Sequence, residues 1–262
     1  MIEPRKLAAE GIGTALLLAI VVGSGIMGER LAGGNTAIAL LANSIATGAG
    51  LYVLILVFGP ISGAHFNPAV TLVAAVRGEL ARGTAVAFIV VQFVSALAGV
   101  AIAHLMFDLP IYSLSTHLRT GIGPWFSEFV ATFGLLLVIL SCAKHRPHAV
   151  PLAVGAYIAS AYWFTASTSF ANPAVTLARA TTNTFTGIYP GDVLGFITAQ
   201  VFGAGIAAMF FGWFAARELG ARGTSHVIAS ESSKVLPDRQ EAQGARTEAR
   251  APSAEGEPHA NT

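Results

Sequence analysis

Long apolar runs alternate with short polar breaks over the first 214 positions of the chain. A helix that crosses a bilayer needs roughly 20 largely apolar residues. Six segments have that character: 7–27, 36–58, 85–107, 125–143, 149–168 and 193–214. Two further apolar stretches, 61–76 and 170–180, are too short to cross. Each holds the same word, Asn67-Pro68-Ala69-Val70-Thr71-Leu72 in one and Asn172-Pro173-Ala174-Val175-Thr176-Leu177 in the other. The pattern predicts an all-α membrane protein with six transmembrane helices and two short segments that enter and return.

The duplication reaches beyond those words. Glu10 and Thr14 match Glu128 and Thr132 at an offset of 118, Gln92 matches Gln200 at 108, and the Asn-Pro words are 105 apart. Three anchors in one order mark two homologous halves, about 7–107 and 125–214. Three crossings per half force the second half to enter from the opposite face, so the repeat is inverted.

Composition agrees. Only 11% of residues are charged and 54% are hydrophobic. A soluble domain carries about 25% charged residues. Of the 29 charged residues, 13 fall in 217–262. The chain therefore divides into a transmembrane domain, 1–216, and a polar tail, 217–262, too poor in large apolar residues to order itself. The start, MIEPRK before an apolar run, has the look of a signal peptide, but 7–27 is long enough to span and is expected to be retained. Arg5, Lys6, Arg77, Arg82, Lys144 and Arg146 share one side with the tail, against Arg30, Arg119 and Arg179 on the other. That excess places both termini and the disordered tail in the cytoplasm. A single cysteine, Cys142, excludes an internal disulfide framework. A net charge of +1 without a basic stripe gives no reason to expect a nucleic-acid partner.

The Asn-Pro words carry the chemistry. Asn is a strong N-cap, and Pro suits the first helical position, so each word starts a short helix. Non-helical backbone at membrane depth is tolerated only inside protein or along an aqueous cavity. In an inverted repeat the two half-helices meet at the midplane with their positive dipole ends together. Asn67 and Asn172 then offer amide N–H groups to a solute oxygen. The preceding segments, 59–66 and 166–171, offer backbone carbonyls. Such a centre opposes cations and admits neutral hydroxylated molecules.

At this point a resemblance is plain. Ser62-Gly63-Ala64-His65-Phe66-Asn67-Pro68-Ala69-Val70-Thr71 resembles the first signature of the aquaporin and aquaglyceroporin family, and the likeness covers 7–214. The resemblance implies the aquaporin fold, a passive channel in the inner cell membrane rather than an enzyme, no cofactor, and a homotetramer with one pore per subunit. It implies that Asn67, Pro68, Ala69, Asn172, Pro173 and Ala174 form the central constriction. It also gives Glu10 and Glu128 a supporting role, accepting hydrogen bonds from the re-entrant loops. A proton relay is the alternative for these carboxylates, and no His or Lys partners them within their spans. His65 is read as a loop-supporting residue, with a gate or metal ligand as the alternative; no second ligand sits at metal spacing. Gln92 and Gln200 are expected to bridge helices or support the loops.

The chain departs from the family where an outer filter is expected. Most members carry Arg three residues after the second Asn; here that residue is Val175. The other filter positions fall on Thr47, Ser169 and a fifth-span residue. Counting without gaps gives Ser160 for the last. A loop two residues short shifts it to Tyr162, which is preferred. The expected filter is thus Thr47, Tyr162, Ser169 and Val175, wider than a water-only filter. Arg179 lies one turn beyond Val175, either as a displaced filter charge or vestibule residue, or as an arginine among outer headgroups. The Val175 pattern resembles a bacterial aquaglyceroporin subgroup linked to arsenic-resistance operons, which implies arsenite, a neutral trihydroxy mimic of glycerol, as a solute. Two other classes compete: a gradient-coupled secondary transporter and a closed-pore structural membrane protein.

Overall fold

The computed structural model describes residues 3–235, with side chains for 3–214. Two compact units divide it, one to Gly212 and one from Trp213. The backbone of the second is helical to Val235; the remainder of the expected tail, 236–262, lies outside the described residues.

Eight α-helices build the described residues: α1 (Pro4–Leu31), α2 (Thr36–Ser62), α3 (Pro68–Val76), α4 (Arg82–Met106), α5 (Ile122–His145), α6 (Val150–Phe164), α7 (Pro173–Arg179) and α8 (Val193–Val235). Local signals start them. Pro4 opens α1 in the first turn. Asn35 caps α2, its side-chain oxygen accepting from the N–H groups of Ala37 at 3.1 Å and Ile38 at 3.2 Å. Helices α1 to α4 are one half, and α5 to α8 repeat their order.

Among the described residues five helices are long and apolar enough to cross a membrane. The remaining expected span, the fifth, is shorter than 149–168. Helix α6 has 15 residues, roughly 22 Å at 1.5 Å per residue. A 3₁₀ turn, Pro147–Ala149, precedes it. It ends at Phe164 because the chain must open early to form the loop that feeds α7. Helix α2 does the reverse. It continues through Pro60 to Ser62 and is closed by Gly63, at φ 92°. The first re-entrant loop is therefore only 63–66, not the expected 59–66, and residues 59–62 are helical.

Packing is close where it must be. A Cβ on Gly48 would lie 2.7 Å from the Gly155 carbonyl, and one on Gly155 would lie 2.4 Å from that of Gly48. The crossing of α2 and α6 thus excludes any side chain. The innermost residues include an unusual polar set: Glu10, Thr14, Gln92, Glu128, Thr132 and Gln200 are all fully buried. The outer faces are apolar, with Ile45 and Val53 on α2, Val86 and Val94 on α4, and Phe202 and Met209 on α8 exposed. This distribution suits a lipid surround rather than water.

Candidate functional site

Helices α3 and α7 meet at their N-termini, each capped by its Asn. Asn67 Oδ1 accepts from the Ala69 N–H at 2.9 Å, and Asn172 Oδ1 from those of Ala174 at 3.0 Å and Val175 at 3.3 Å. With the oxygens capping, the amide nitrogens point across the junction. Asn67 Nδ2 donates to the Ala171 carbonyl at 2.8 Å, and Asn172 Nδ2 to the Phe66 carbonyl at 2.7 Å. One N–H of each amide therefore ties the two halves together. The sequence reading offered these amide N–H groups to a solute oxygen; at most one N–H of each remains for it.

The two loops have the same backbone. Gly63, Ala64 and Phe66 take φ of 92°, 50° and 49°; Thr168, Ser169 and Ala171, each 105 positions on, take 63°, 49° and 47°. Left-handed geometry at non-glycine residues costs about 1 kcal/mol or more each. Buried carboxylates hold it in place. Glu10 accepts from the N–H groups of His65 (2.9 Å) and Phe66 (2.8 Å), the Ser62 hydroxyl (2.7 Å) and Gln92 Nε2 (2.9 Å). Glu128 accepts from the N–H groups of Phe170 and Ala171, both at 2.8 Å, and from Gln200 Nε2 at 2.6 Å. Gln92 and Gln200 also donate to Thr71 and Thr176 on the half-helices, at 3.0 and 2.8 Å. Each carboxylate thus fastens a loop, and each glutamine fastens the carboxylate to a half-helix.

A cavity of about 260 Å³ runs through this junction. Glu79, Ala143 and Val150 line it beyond the C-terminal end of α3; Asn67 and Asn172 line its middle; Thr47, Tyr162, Ser169, Val175 and Arg179 line it toward the C-terminal end of α7. The four expected filter positions are thus gathered on one cavity. Tyr162 Oη donates to Thr47 Oγ1 at 3.2 Å. Ser160 is exposed and bonds the Tyr157 carbonyl instead, so of the two alternatives Tyr162 faces the lumen. His65 also lines the cavity. Its Nδ1 lies 3.1 Å from Thr71 Oγ1, and its ring sits edge-on to Phe88.

Two participants were not read from the sequence. Arg119, in the segment between α4 and α5, donates through Nε to the Gly187 carbonyl at 2.9 Å and through Nη1 to that of Ser167 at 3.2 Å. Its own N–H donates to Asp192 at 2.7 Å. Burial pushes its guanidinium below the ordinary arginine value, opposed by Glu128 first. Phe170, whose N–H Glu128 holds, lies with its ring under two cations: the Cζ of Arg179 is 3.4 Å from the ring centroid and that of Arg119 is 5.1 Å away. An outer-side arginine, rare under the charge bias, was the available signal for Arg119; its partners lie too far along the chain to be read locally.

Comparison with known proteins places these features. The model of the major intrinsic protein family matches residues 2–162. The aquaglyceroporin AqpS of Rhizobium meliloti (strain 1021) is 55% identical over 209 residues, covering 80% of this chain and 89% of its own length. The probable aquaporin TIP1-2 of Oryza sativa subsp. japonica is 31% identical, over 79% of this chain and 85% of its own. The X-ray structure of the aquaglyceroporin from Plasmodium falciparum matches in fold with a TM-score of 0.63 at 19% identity, covering 79% of this chain and 94% of that one.

Proposed function

Because the chain belongs to the major intrinsic protein family and is a passive, multi-pass membrane channel, we propose that its solutes are water, glycerol and trihydroxy metalloid acids such as arsenite. The observation that carries this reading is the lining of the outer cavity: Thr47, Tyr162 and Ser169 line it together with an apolar Val175. Hydroxyls donate to and accept from a polyol, and Val175 leaves room that an arginine would fill. Asn67, Pro68, Ala69, Asn172, Pro173 and Ala174 form the central constriction, where two helix dipoles oppose cations. Glu10, Glu128 and His65 support it.

The carboxylates also argue against gradient coupling. Glu10 and Glu128 accept four and three hydrogen bonds and hold backbone in place. A coupling ion or proton would have to break that frame. The channel is a homotetramer in the inner cell membrane with both termini cytoplasmic. The broad apolar outer surface and the excess of Arg and Lys on one side support this arrangement.

Stopped-flow uptake by proteoliposomes, with water, glycerol, urea and arsenite in parallel, tests the reading. Glycerol and arsenite flux that ignores membrane potential and proton gradients is expected. Strict water selectivity overturns the solute class, and gradient-driven accumulation overturns passivity.

A further inference from the structure

Arg179 is among the most deeply buried residues of the described chain, at 2% exposure, and it lines the pore cavity. Burying a charge without a counter-charge is costly unless its surroundings satisfy it. Neither Arg179 nor Arg119 is in an ion pair among the described residues. What holds Arg179 is different. Its Nε donates to the Thr186 carbonyl, and its Cζ sits over the Phe170 ring, 3.4 Å from the centroid. Arg119 donates to the next carbonyl, Gly187, and reaches the same ring. Phe170 is itself fixed, its N–H by Glu128 and its ring by Phe196 at 5.2 Å. No hydrogen bond joins the Arg179 Nη groups to a protein acceptor among the described residues. Ser169 Oγ, buried on the same cavity wall, likewise lacks a partner.

We propose that Arg179 is the charged member of this channel's outer filter, a specificity-determining residue that donates to solute oxygens and excludes cations one helical turn outside Val175. Phe170 and Arg119 are positioning residues that hold its guanidinium against the lumen. The inference rests on the channel reading above and deepens it. The wide position at Val175 sets how large a solute passes, and the charge at Arg179 sets which sign passes. A solute then meets the Arg179 donors first, the hydroxyls of Tyr162 and Thr47 next, and the paired amides last. Central dipoles alone do not have to hold back every cation.

Urea and guanidinium ion are nearly the same size and shape and differ in charge, so their permeability ratio within one preparation reads the filter directly. In proteoliposomes the wild type should pass urea and hold guanidinium back. Arg179→Met keeps the length and apolar contact without the charge, and should raise the guanidinium-to-urea ratio by about tenfold or more. Arg179→Lys should keep the ratio low. Arg119→Met, which leaves the charge but removes a neighbour, should raise it less. A merely structural Arg179 would lower both permeabilities together in Arg179→Met and leave the ratio alone, which overturns the proposal. If that variant does not assemble, Phe170→Leu removes the face under the guanidinium; a raised ratio there supports the assignment and an unchanged one overturns it. A wild type that passes neither urea nor glycerol fails at the channel reading beneath, a result distinct from an unaltered ratio.

Discussion

The two re-entrant loops are the same frame carrying different inserts. Both turn left-handed at matching positions, both are clamped by a glutamate from the first helix of their half, and both receive an amide from the other half's Asn. The inserts differ. His65 in the first loop corresponds to Phe170 in the second, and Ala74 on α3 corresponds to Arg179 on α7. Even the shared threonine is used differently. Thr176 Oγ1 donates to the Asn172 carbonyl, whereas Thr71 Oγ1 meets His65 Nδ1. Duplication maintained what backbone geometry demands, and asymmetry went into side chains that line the cavity. A pore that opposes cations needs matched dipoles at its centre, but it needs a selecting station at only one mouth.

Breaking the frame should have the largest effect. Both Glu10 oxygens face N–H or O–H donors, so a Gln amide must turn a donor onto a donor whichever way it flips. Glu10→Gln should cost about 3 kcal/mol or more and abolish most flux. Glu128→Gln should behave alike, with a slightly smaller loss, since three donors face it rather than four. Thermal unfolding in detergent reads the stability and stopped-flow reads the flux. A large loss in one half only would show that the frames are not equivalent.

Exchanging one Asn at the junction comes next. Asn172→Asp replaces the N–H donor to Phe66 by an oxygen facing that carbonyl and puts a negative charge at the dipole ends. Neutral-solute flux should fall roughly tenfold and the cation barrier should weaken. Asn67→Asp should match it, and cation selectivity measured from each side of oriented vesicles would expose any difference between halves.

Val175 and its counterpart Val70 sharpen the comparison further. Both line the cavity, but only Val175 belongs to the expected filter with Tyr162 and Thr47. Val175→Arg should cut glycerol and arsenite flux by about tenfold and water flux less, because it fills the widened mouth. It also sets a like charge one turn from Arg179. If every solute passes unchanged, Val175 does not control access.

The smallest effect should come from making the loops alike. His65→Phe removes a hydrogen bond to Thr71, worth about 1 kcal/mol, while leaving the backbone clamp in place. Thermal stability should fall slightly and glycerol flux should stay within about threefold of the wild type. A full loss of flux would assign His65 a role well beyond supporting its loop.

The sequence by itself determined the number of membrane segments, the inverted repeat and the meeting of two Asn-capped half-helices. Those follow from signals that act locally: apolar runs of bilayer length, Asn-Pro at a helix start, and one word written twice. Paired Glu and Gln anchors were legible for the same reason. Only the tertiary structure decided where α2 gives way to loop, how early α6 stops, and that each Asn binds across the junction with one N–H. It also put Tyr162 rather than Ser160 on the cavity wall, since a two-residue difference in loop length rotates a helix face by more than half a turn. The surroundings of Arg179 were the least legible. Phe170 is nine residues away in the chain, Thr186 seven, and Arg119 sixty. They meet because Ser113 and Ser115 pair with Thr181 and Ala180, and Tyr189 with His117, laying one outer segment against another. Contacts of that range leave no periodic trace along a chain, so a buried, unpaired arginine looks from sequence like one more cation at a membrane surface.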